Sequence, residues 1–200
     1  MASWAELLTR AEPGDHLVQL YGEDHQLLAK NVSRYLAEGF RSLDGLVVIA
    51  TPDHTHSISR HLAEETAGAT LEAERDGRLV LLDARATLDR LLVDGRPDKA
   101  RFDAVVGHTL KVAREQSGSG KVRAFGEMVG LLWDAERYGD AGLLEAYWNE
   151  ALAGSSYSLF CAYRCDLFDT NLDPAGLNPI VTAHSHVLAG SGTVLSSHRD

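Results

Sequence analysis

An uninterrupted apolar run of strand length, Leu46-Val-Val-Ile-Ala50, constrains the fold of this chain more than any other stretch. A strand with apolar side chains on both faces is typical of a parallel sheet covered by helices on both sides, because a strand with one wet face alternates apolar and polar residues. Apolar residues at helical spacing precede the run at 24–39, and a second predicted helix follows it at 53–67. The run therefore predicts an α/β fold.

The same alternation of strand and helix continues along the chain. It implies a three-layer, mostly parallel sheet with helices on both faces and right-handed crossovers. A chain of 200 residues fits one domain, 1–200, with an N-terminal cap at 1–13 and a frayed tail at 190–200. The predicted strands are 16–21, 46–50, 78–83, 121–125 and 158–163, and the predicted helices are 24–39, 53–67, 86–92, 98–116, 129–136, 141–152 and 179–188.

The charge balance disfavours two classes of partner. The chain has 29 acidic and 19 basic residues, a net charge of −10, and no run rich in Lys or Arg, which argues against nucleic acid and anionic membrane as partners.

The two cysteines, Cys161 and Cys165, follow no signal peptide or long apolar span. Four residues along an extended strand separate their sulfur atoms too far for a disulfide bond. We therefore expect a cytoplasmic protein with two core thiols.

The turn after the first predicted strand lacks a phosphate-binding loop. The pattern G-x-x-x-x-G-K-[ST] needs a second glycine and a lysine where the chain has Gln26-Leu-Leu28. Glu23 and Asp24 put two negative charges at the start of the helix, where they suit the helix dipole and repel a phosphate. The position is typical of a nucleotide-binding scaffold, whereas the residues predict that ATP and GTP do not bind.

Ligands of open α/β sheets bind beyond the carboxyl ends of the strands. That rule nominates five positions, of which Glu127 is the most informative because it follows a buried strand. Its carboxylate either accepts a hydrogen bond from a ligand or caps the following helix, and the sequence leaves both roles open. The five positions are 21–22, 51–54, 83, 126–127 and 163–164.

Six short segments stand out in chain order: Gly14-Asp-His-Leu-Val-Gln-Leu-Tyr21, Tyr35-Leu-Ala-Glu-Gly-Phe40, Val122-Arg-Ala-Phe-Gly-Glu-Met128, Leu144-Glu-Ala-Tyr-Trp-Asn149, Ser158-Leu-Phe-Cys-Ala-Tyr163 and Ala183-His-Ser-His-Val187. Together they resemble the MEDS sensory domain, named after methanogens, methylotrophs and the dichloromethane-responsive regulator. The resemblance implies a relative of the RecA/KaiC ATPase fold that has lost its Walker motifs and acts as a sensor. Because no kinase, phosphotransfer or helix-turn-helix segment accompanies these motifs, we expect output through a separate kinase or regulator.

The predicted function is a non-catalytic signalling module that binds a small, partly apolar, neutral or cationic molecule and relays its presence to a separate partner. Two alternatives stay open: a residual nucleotide-binding protein or weak ATPase, and a ligand-free interaction module; a homodimer is also left open. His16 matches the histidine of the family at the strand start, as a structural or a site residue. The predicted ligand-binding residues are Tyr21, Gly22, Glu127, Met128, Trp148, Asn149, Cys161 and Tyr163.

Nine histidines raise the question of a metal. The obvious pairs are His54-x-His56 and His184-x-His186, but a metal site needs three or four converging ligands and the sequence shows isolated pairs. No metal and no cofactor are therefore predicted. No nucleophile elbow or dinucleotide fingerprint provides an enzymatic mechanism.

The segment Tyr138-Gly-Asp140 is predicted to interrupt a helix. We expect it to be the hinge through which ligand occupancy is relayed to a partner.

Overall fold

The computed structural model describes residues 3–165, 180–189 and 193–196. Its strands in chain order are β1 (His16–Tyr21), β2 (Gly45–Ala50), β3 (Leu79–Asp83), β4 (Leu92–Val93), β5 (Arg96–Pro97), β6 (Val122–Gly126), β7 (Tyr157–Arg164), β8 (His186–Ala189) and β9 (Thr193–Ser196). All except the β4–β5 hairpin form one sheet in the order β3-β2-β6-β7-β1-β8-β9. Neighbours are parallel from β3 to β8 and antiparallel between β8 and β9.

Helices cover both faces of this sheet, which confirms the predicted three-layer α/β fold. Alternate side chains of β2 show why: Leu46 and Val48 pack with α1–α4, whereas Val47 and Ile49 pack with α5–α9. A π-helical turn, Asp103–Gly107, joins α6 and α7. The helices are α1 (Trp4–Arg10), α2 (His25–Arg41), α3 (Pro52–Glu65), α4 (Thr70–Arg75), α5 (Ala84–Leu91), α6 (Lys99–Phe102), α7 (His108–Glu115), α8 (Met128–Asp134) and α9 (Tyr138–Leu152).

The C-terminal part of the described chain differs from its prediction. Residues 180–183 are helical, but the predicted helix 179–188 is wrong beyond them, because His186–Ala189 forms strand β8. β8 pairs with the edge of β1, where Leu17 lies opposite His186 and Leu20 opposite Ala189. Thr193–Ser196 forms β9 within the segment expected to be frayed, whereas 190–192 and 197–200 lie outside the described residues. Strand pairing, rather than local helical periodicity, decides this region.

The predicted hinge at Tyr138-Gly-Asp140 is also wrong in position. These residues form the first turn of α9, and Arg137 fixes that turn by donating to Asp140 Oδ2 at 3.0 Å. The chain breaks between α8 and α9 at residues 135–137, where Glu136 has a left-handed φ of 57°. A two-helix arrangement therefore follows β6, with a short tight connection.

A buried arginine attaches α1 to the rest of the domain. Arg123 on β6 lies 3.3 Å from Asp44 and donates to the backbone carbonyl groups of Leu8, Thr9 and Tyr35. These donors satisfy the last carbonyl groups of α1, which have no partner within the helix. In the described part of the chain, no helix is long and apolar enough to cross a membrane.

Candidate functional site

A cleft of about 180 Å³ opens at the carboxyl edge of the sheet. Strands β2 and β6 are neighbours, but α3, which follows β2, and α8, which follows β6, pack on opposite faces. Such a divergence leaves a crevice in open α/β sheets, and ligands bind there. The cleft is lined by Tyr21, His25, Thr51, Asp53, His54, Glu127, Gly130, Leu131, Asp134, Ala162 and Arg164.

The carboxylate of Glu127 is firmly anchored within this cleft. Glu127 is only 4% exposed, and its Oε1 accepts a hydrogen bond from the backbone N–H of Thr51. Its Oε2 lies 2.5 Å from Nδ1 of His54, and because a carboxylate oxygen accepts, that nitrogen carries the proton. Nε2 of His54 lies 2.8 Å from Nδ1 of His25. This Glu127–His54–His25 chain runs from the end of β6 to the start of α2.

Of the two roles left open for Glu127, capping of the following helix is excluded. Glu127 occupies the N-cap position of α8, but its side chain makes no cap hydrogen bond there. The carboxylate instead faces the start of α3, where Thr51 precedes the first helical residue, Pro52. Negative charge at that position suits the dipole of α3. Glu127 therefore joins the two helices that diverge at the cleft.

Negative charge dominates the lining of the cleft. Asp53, Glu127 and Asp134 face one arginine, Arg164, whose guanidinium pairs with the exposed Glu23 at 2.5 Å. Burial raises the pKa of Asp134, and the nearby Arg164 only partly opposes this rise. The site is thus suited to neutral or cationic groups rather than to anions.

Besides the acidic lining of the cleft, a hydrogen bond at the start of α2 disfavours anions. Oδ1 of Asp24 accepts a hydrogen bond from the backbone N–H of Leu27 at 2.8 Å, so the chain's own carboxylate uses a donor that a phosphate would need. Tyr21 lies beside this turn, and burial followed by the charge of Glu127 raises the pKa of its phenol. Its hydroxyl is therefore a neutral group at physiological pH.

A second polar group lies inside the core, between the sheet and α9. His16 on β1, Glu145 on α9, Cys161 on β7 and His184 after the turn at 180–183 are each at most 4% exposed. One side-chain nitrogen, oxygen or sulfur atom from each residue lies within 4.8 Å of those of the other three. These four residues are called the buried His–Glu–Cys cluster below.

Glu145 lies at the centre of the contacts in this cluster. Nε2 of His16 lies 3.4 Å from both Glu145 Oε2 and Cys161 Sγ, and Nε2 of His184 lies 3.4 Å from Glu145 Oε1. Tyr163 donates its hydroxyl to Glu145 Oε1 at 2.5 Å. Burial alone would raise the pKa of Glu145, but His184, His16 and Tyr163 outweigh it and lower that pKa to about 2. Burial raises the pKa of the Cys161 thiol.

The structure divides the predicted site residues among three places. Tyr21 and Glu127 line the cleft, and Gly22 lies in the bend directly after Tyr21. Four belong to the buried cluster or contact it: His16, Asn149, Cys161 and Tyr163. Two are core residues outside the lining of the cleft: Met128 and Trp148.

Glu145 and His25 are among the residues of these sites that are not predicted from the sequence. Glu145 lies on the buried face of α9 beside Leu144 and Trp148, and an acidic residue among apolar neighbours at helical spacing is the signal that identifies it. His25 begins α2, and no local pattern connects it with His54, which lies 29 residues further along the chain. The other strand-end position, Asp83, is structural, because its carboxylate caps α5 by accepting from Ala86 N–H.

A family model described as MEDS, the MEthanogen/methylotroph, DcmR Sensory domain, matches residues 15–184. The matched span begins one residue before β1 and ends at His184, so it contains the lining of the cleft and all four residues of the buried cluster. No curated protein matches the chain.

Proposed function

Since this chain belongs to the MEDS family of sensory domains, we propose that it senses a small neutral or cationic, partly apolar molecule in the cleft and relays occupancy to a signalling partner. The proposal treats the module as non-catalytic. Two buried cysteines that form no disulfide support a cytoplasmic location. One observation carries the choice of site: at the divergence of α3 and α8, a buried carboxylate is held in place with two histidines.

The size and lining of the cleft support a small ligand. Its volume of about 180 Å³ is below the roughly 300–1,000 Å³ of pockets for drug-sized molecules. Leu131, Ala162 and the ring of Tyr21 offer apolar surface, and His25 and Asp134 offer polar groups. These features support a ligand of a few heavy atoms that carries one hydrogen-bonding or cationic group.

The relay is proposed to run through α8. Gly130, Leu131 and Asp134 belong to this helix and line the cleft, so a ligand contacts α8 directly. Trp133, on the same helix, packs edge-on against Tyr138 at 4.6 Å between ring centroids. Tyr138 is 52% exposed and begins α9. A shift of α8 would therefore change a surface that a partner protein can contact.

Fluorescence of Trp133 and thermal unfolding provide the test. A panel of small alcohols, amines and halogenated hydrocarbons is compared with small carboxylates, inorganic phosphate and Mg-ATP. We expect saturable changes in fluorescence and a raised Tm with members of the neutral or cationic set. Native mass spectrometry of the freshly purified protein complements the screen by detecting a molecule retained from the cell.

A matched pair of substitutions tests the location of the site. Leu131→Trp fills the cleft and should abolish the ligand-dependent rise in Tm, whereas Leu71→Trp adds the same bulk at a side chain that is 64% exposed on α4 and should leave that rise unchanged. The Tm is the readout here because each variant adds a fluorescent side chain. Saturable responses confined to the anionic compounds would contradict the proposed ligand class and favour a residual nucleotide-binding protein. A folded protein that responds to nothing in the panel and retains no molecule would favour a ligand-free interaction module.

A further inference from the structure

We propose that the buried His–Glu–Cys cluster binds one divalent transition-metal ion, with Zn²⁺ as the best fit, through His16 Nε2, His184 Nε2, Cys161 Sγ and the carboxylate of Glu145. This site is separate from the cleft, and the proposal does not depend on the function proposed above. Its donor set of two nitrogens, one oxygen and one sulfur suits Zn²⁺, which accepts all three ligand types in four-coordinate sites. The four residues come from β1, α9, β7 and the segment before β8.

The hydrogen bonds of both histidines direct their Nε2 atoms toward the centre of the cluster. Nδ1 of His184 lies 2.6 Å from the carbonyl oxygen of Ile180, and because a carbonyl only accepts, Nδ1 carries the proton. In the neutral form of the ring, which is the form that binds a metal, the lone pair is then on Nε2 and faces Glu145. A backbone carbonyl on the second nitrogen is the usual way in which proteins fix the tautomer and the orientation of a metal-binding histidine.

His16 is oriented in the same manner by Asn149. The side-chain nitrogen of Asn149 donates to the carbonyl oxygen of Ala183 at 3.3 Å, which turns its Oδ1 toward His16. That oxygen lies 3.0 Å from Nδ1 of His16, so Nδ1 carries the proton, and in the neutral, metal-binding form of the ring Nε2 presents its lone pair to Cys161 and Glu145. Two imidazole lone pairs thus converge on one carboxylate, an arrangement that a cation stabilises.

The distances favour a metal site over a network of direct hydrogen bonds. Charge-assisted hydrogen bonds between imidazole and carboxylate are about 2.7–2.9 Å long, whereas both histidines lie 3.4 Å from Glu145. Tetrahedral Zn²⁺, with bonds of about 2.0–2.3 Å, places its nitrogen and oxygen ligands roughly 3.4 Å apart and its nitrogen and sulfur ligands roughly 3.5 Å apart. Nε2 of His16 and Sγ of Cys161 are 3.4 Å apart. Nε2 of His16 therefore lies at the edge lengths of a zinc tetrahedron from both Glu145 Oε2 and Cys161 Sγ, whereas Nε2 of His184 lies at this distance from the other carboxylate oxygen, Oε1.

The carboxylate itself is supported by a further contact. Tyr163 donates its hydroxyl to Glu145 Oε1, which orients the carboxyl group and leaves Oε2 facing His16. Within the described part of the chain, Oε2 is a buried oxygen that accepts no hydrogen bond. Bonding of Cys161 to the metal would release its thiol proton to solvent, because the thiolate is the ligand. The site would then hold a metal ion with two neutral and two anionic ligands.

The experiment measures metal in the full chain, purified without a histidine tag and without chelator. Elemental analysis should find about one equivalent of Zn²⁺ or a related ion per chain. After removal by a chelator, titration with Co²⁺ should give the visible absorption of a tetrahedral site and a near-ultraviolet band from thiolate-to-cobalt charge transfer. Chelation should lower the Tm, and Zn²⁺ but not Mg²⁺ should restore it.

Cys165, which follows directly after β7, provides a matched control, because it is also buried and forms no disulfide but lies outside the cluster. Cys165→Ser should retain the charge-transfer band, whereas Cys161→Ser should lose it; if the second variant does not fold, retention in the first still assigns the thiolate to Cys161. Asn149→Leu should weaken Co²⁺ binding roughly 10–100-fold without loss of the tetrahedral spectrum. A folded chain that retains no metal and gives no thiolate band with Co²⁺, or a band that disappears in Cys165→Ser, would overturn the proposal.

Discussion

Replacement of Glu127 by glutamine tests how the cleft is assembled. Each oxygen of the carboxylate accepts one hydrogen bond, from Thr51 N–H and from His54 Nδ1. Hydrogen bonds to a charged group contribute about 1.5–3 kcal/mol each, and bonds between neutral groups about 0.5–1.5. Glutamine can keep both contacts without the charge, provided that His54 changes tautomer so that its Nδ1 accepts from the new amide and its Nε2–H donates to His25. We therefore expect Glu127→Gln to lower the free energy of unfolding by about 2 kcal/mol.

Urea denaturation at pH 7 measures this loss, and NMR of the imidazole nitrogens reports the tautomer of His54. Glu127→Ala removes both acceptors and should cost more, about 3–6 kcal/mol. The control is Asp53→Asn, which changes an exposed carboxylate in the same cleft and should alter stability by no more than about 0.5 kcal/mol. If Glu127→Gln unfolds at the same urea concentration as the parent and His54 keeps its tautomer, the Glu127–His54–His25 chain does not hold the cleft together.

Three further predictions follow from the contacts of single residues. Calorimetry should detect no binding of Mg-ATP or Mg-GTP, because Asp24 occupies the N–H of Leu27; tight binding of either nucleotide would refute this reasoning. Arg123→Met should lower the free energy of unfolding by about 3–5 kcal/mol, because Asp44 stays buried without its ion-pair partner. Denaturant unfolding measures this loss, and Arg101→Met, which makes the same change at an exposed position, is the control that should not show it. Asp134→Asn should raise stability at neutral pH, since burial raises the folded-state pKa of this carboxyl and ionisation therefore disfavours folding. The unfolding free energies of variant and parent should converge below about pH 3, where the aspartate is protonated in both states because its ordinary pKa is about 3.9. A gain that persists there would contradict the assignment.

The fold follows from local patterns where strands are buried on both faces. The run Leu46–Ala50 needs no tertiary information, because only a covered parallel strand accommodates apolar side chains on both sides. Strand β8 is different. Val187 and Leu188 are also compatible with a helix, and their extended conformation depends on pairing with β1, a contact between residues far apart in the sequence. Such tertiary contacts override local preference.

The two sites show the same limit. Strand-end positions such as Glu127 can be nominated from the sequence, since the carboxyl edge of a parallel sheet is a known location for ligands. For the buried cluster, His16 and Cys161 can be nominated one by one, but their grouping with residues 145 and 184 cannot, because no spacing connects the four. The spacing of the histidine pairs does not identify either site. On a helix, residues two apart do not face each other, and His54 contacts His25 instead of forming a pair with His56.

Strand β7 places the two sites back to back. Ala162 lines the cleft on one face, while Cys161 and Tyr163 turn to the buried cluster on the other. The strand is buried and paired on both sides, and close-packed interiors of this kind deform little. A ligand in the cleft would therefore displace the helices more readily than the strand. Because α8 lines the cleft and α9 supplies Glu145, we infer that the connection at residues 135–137 is where an event at either site reaches the protein surface.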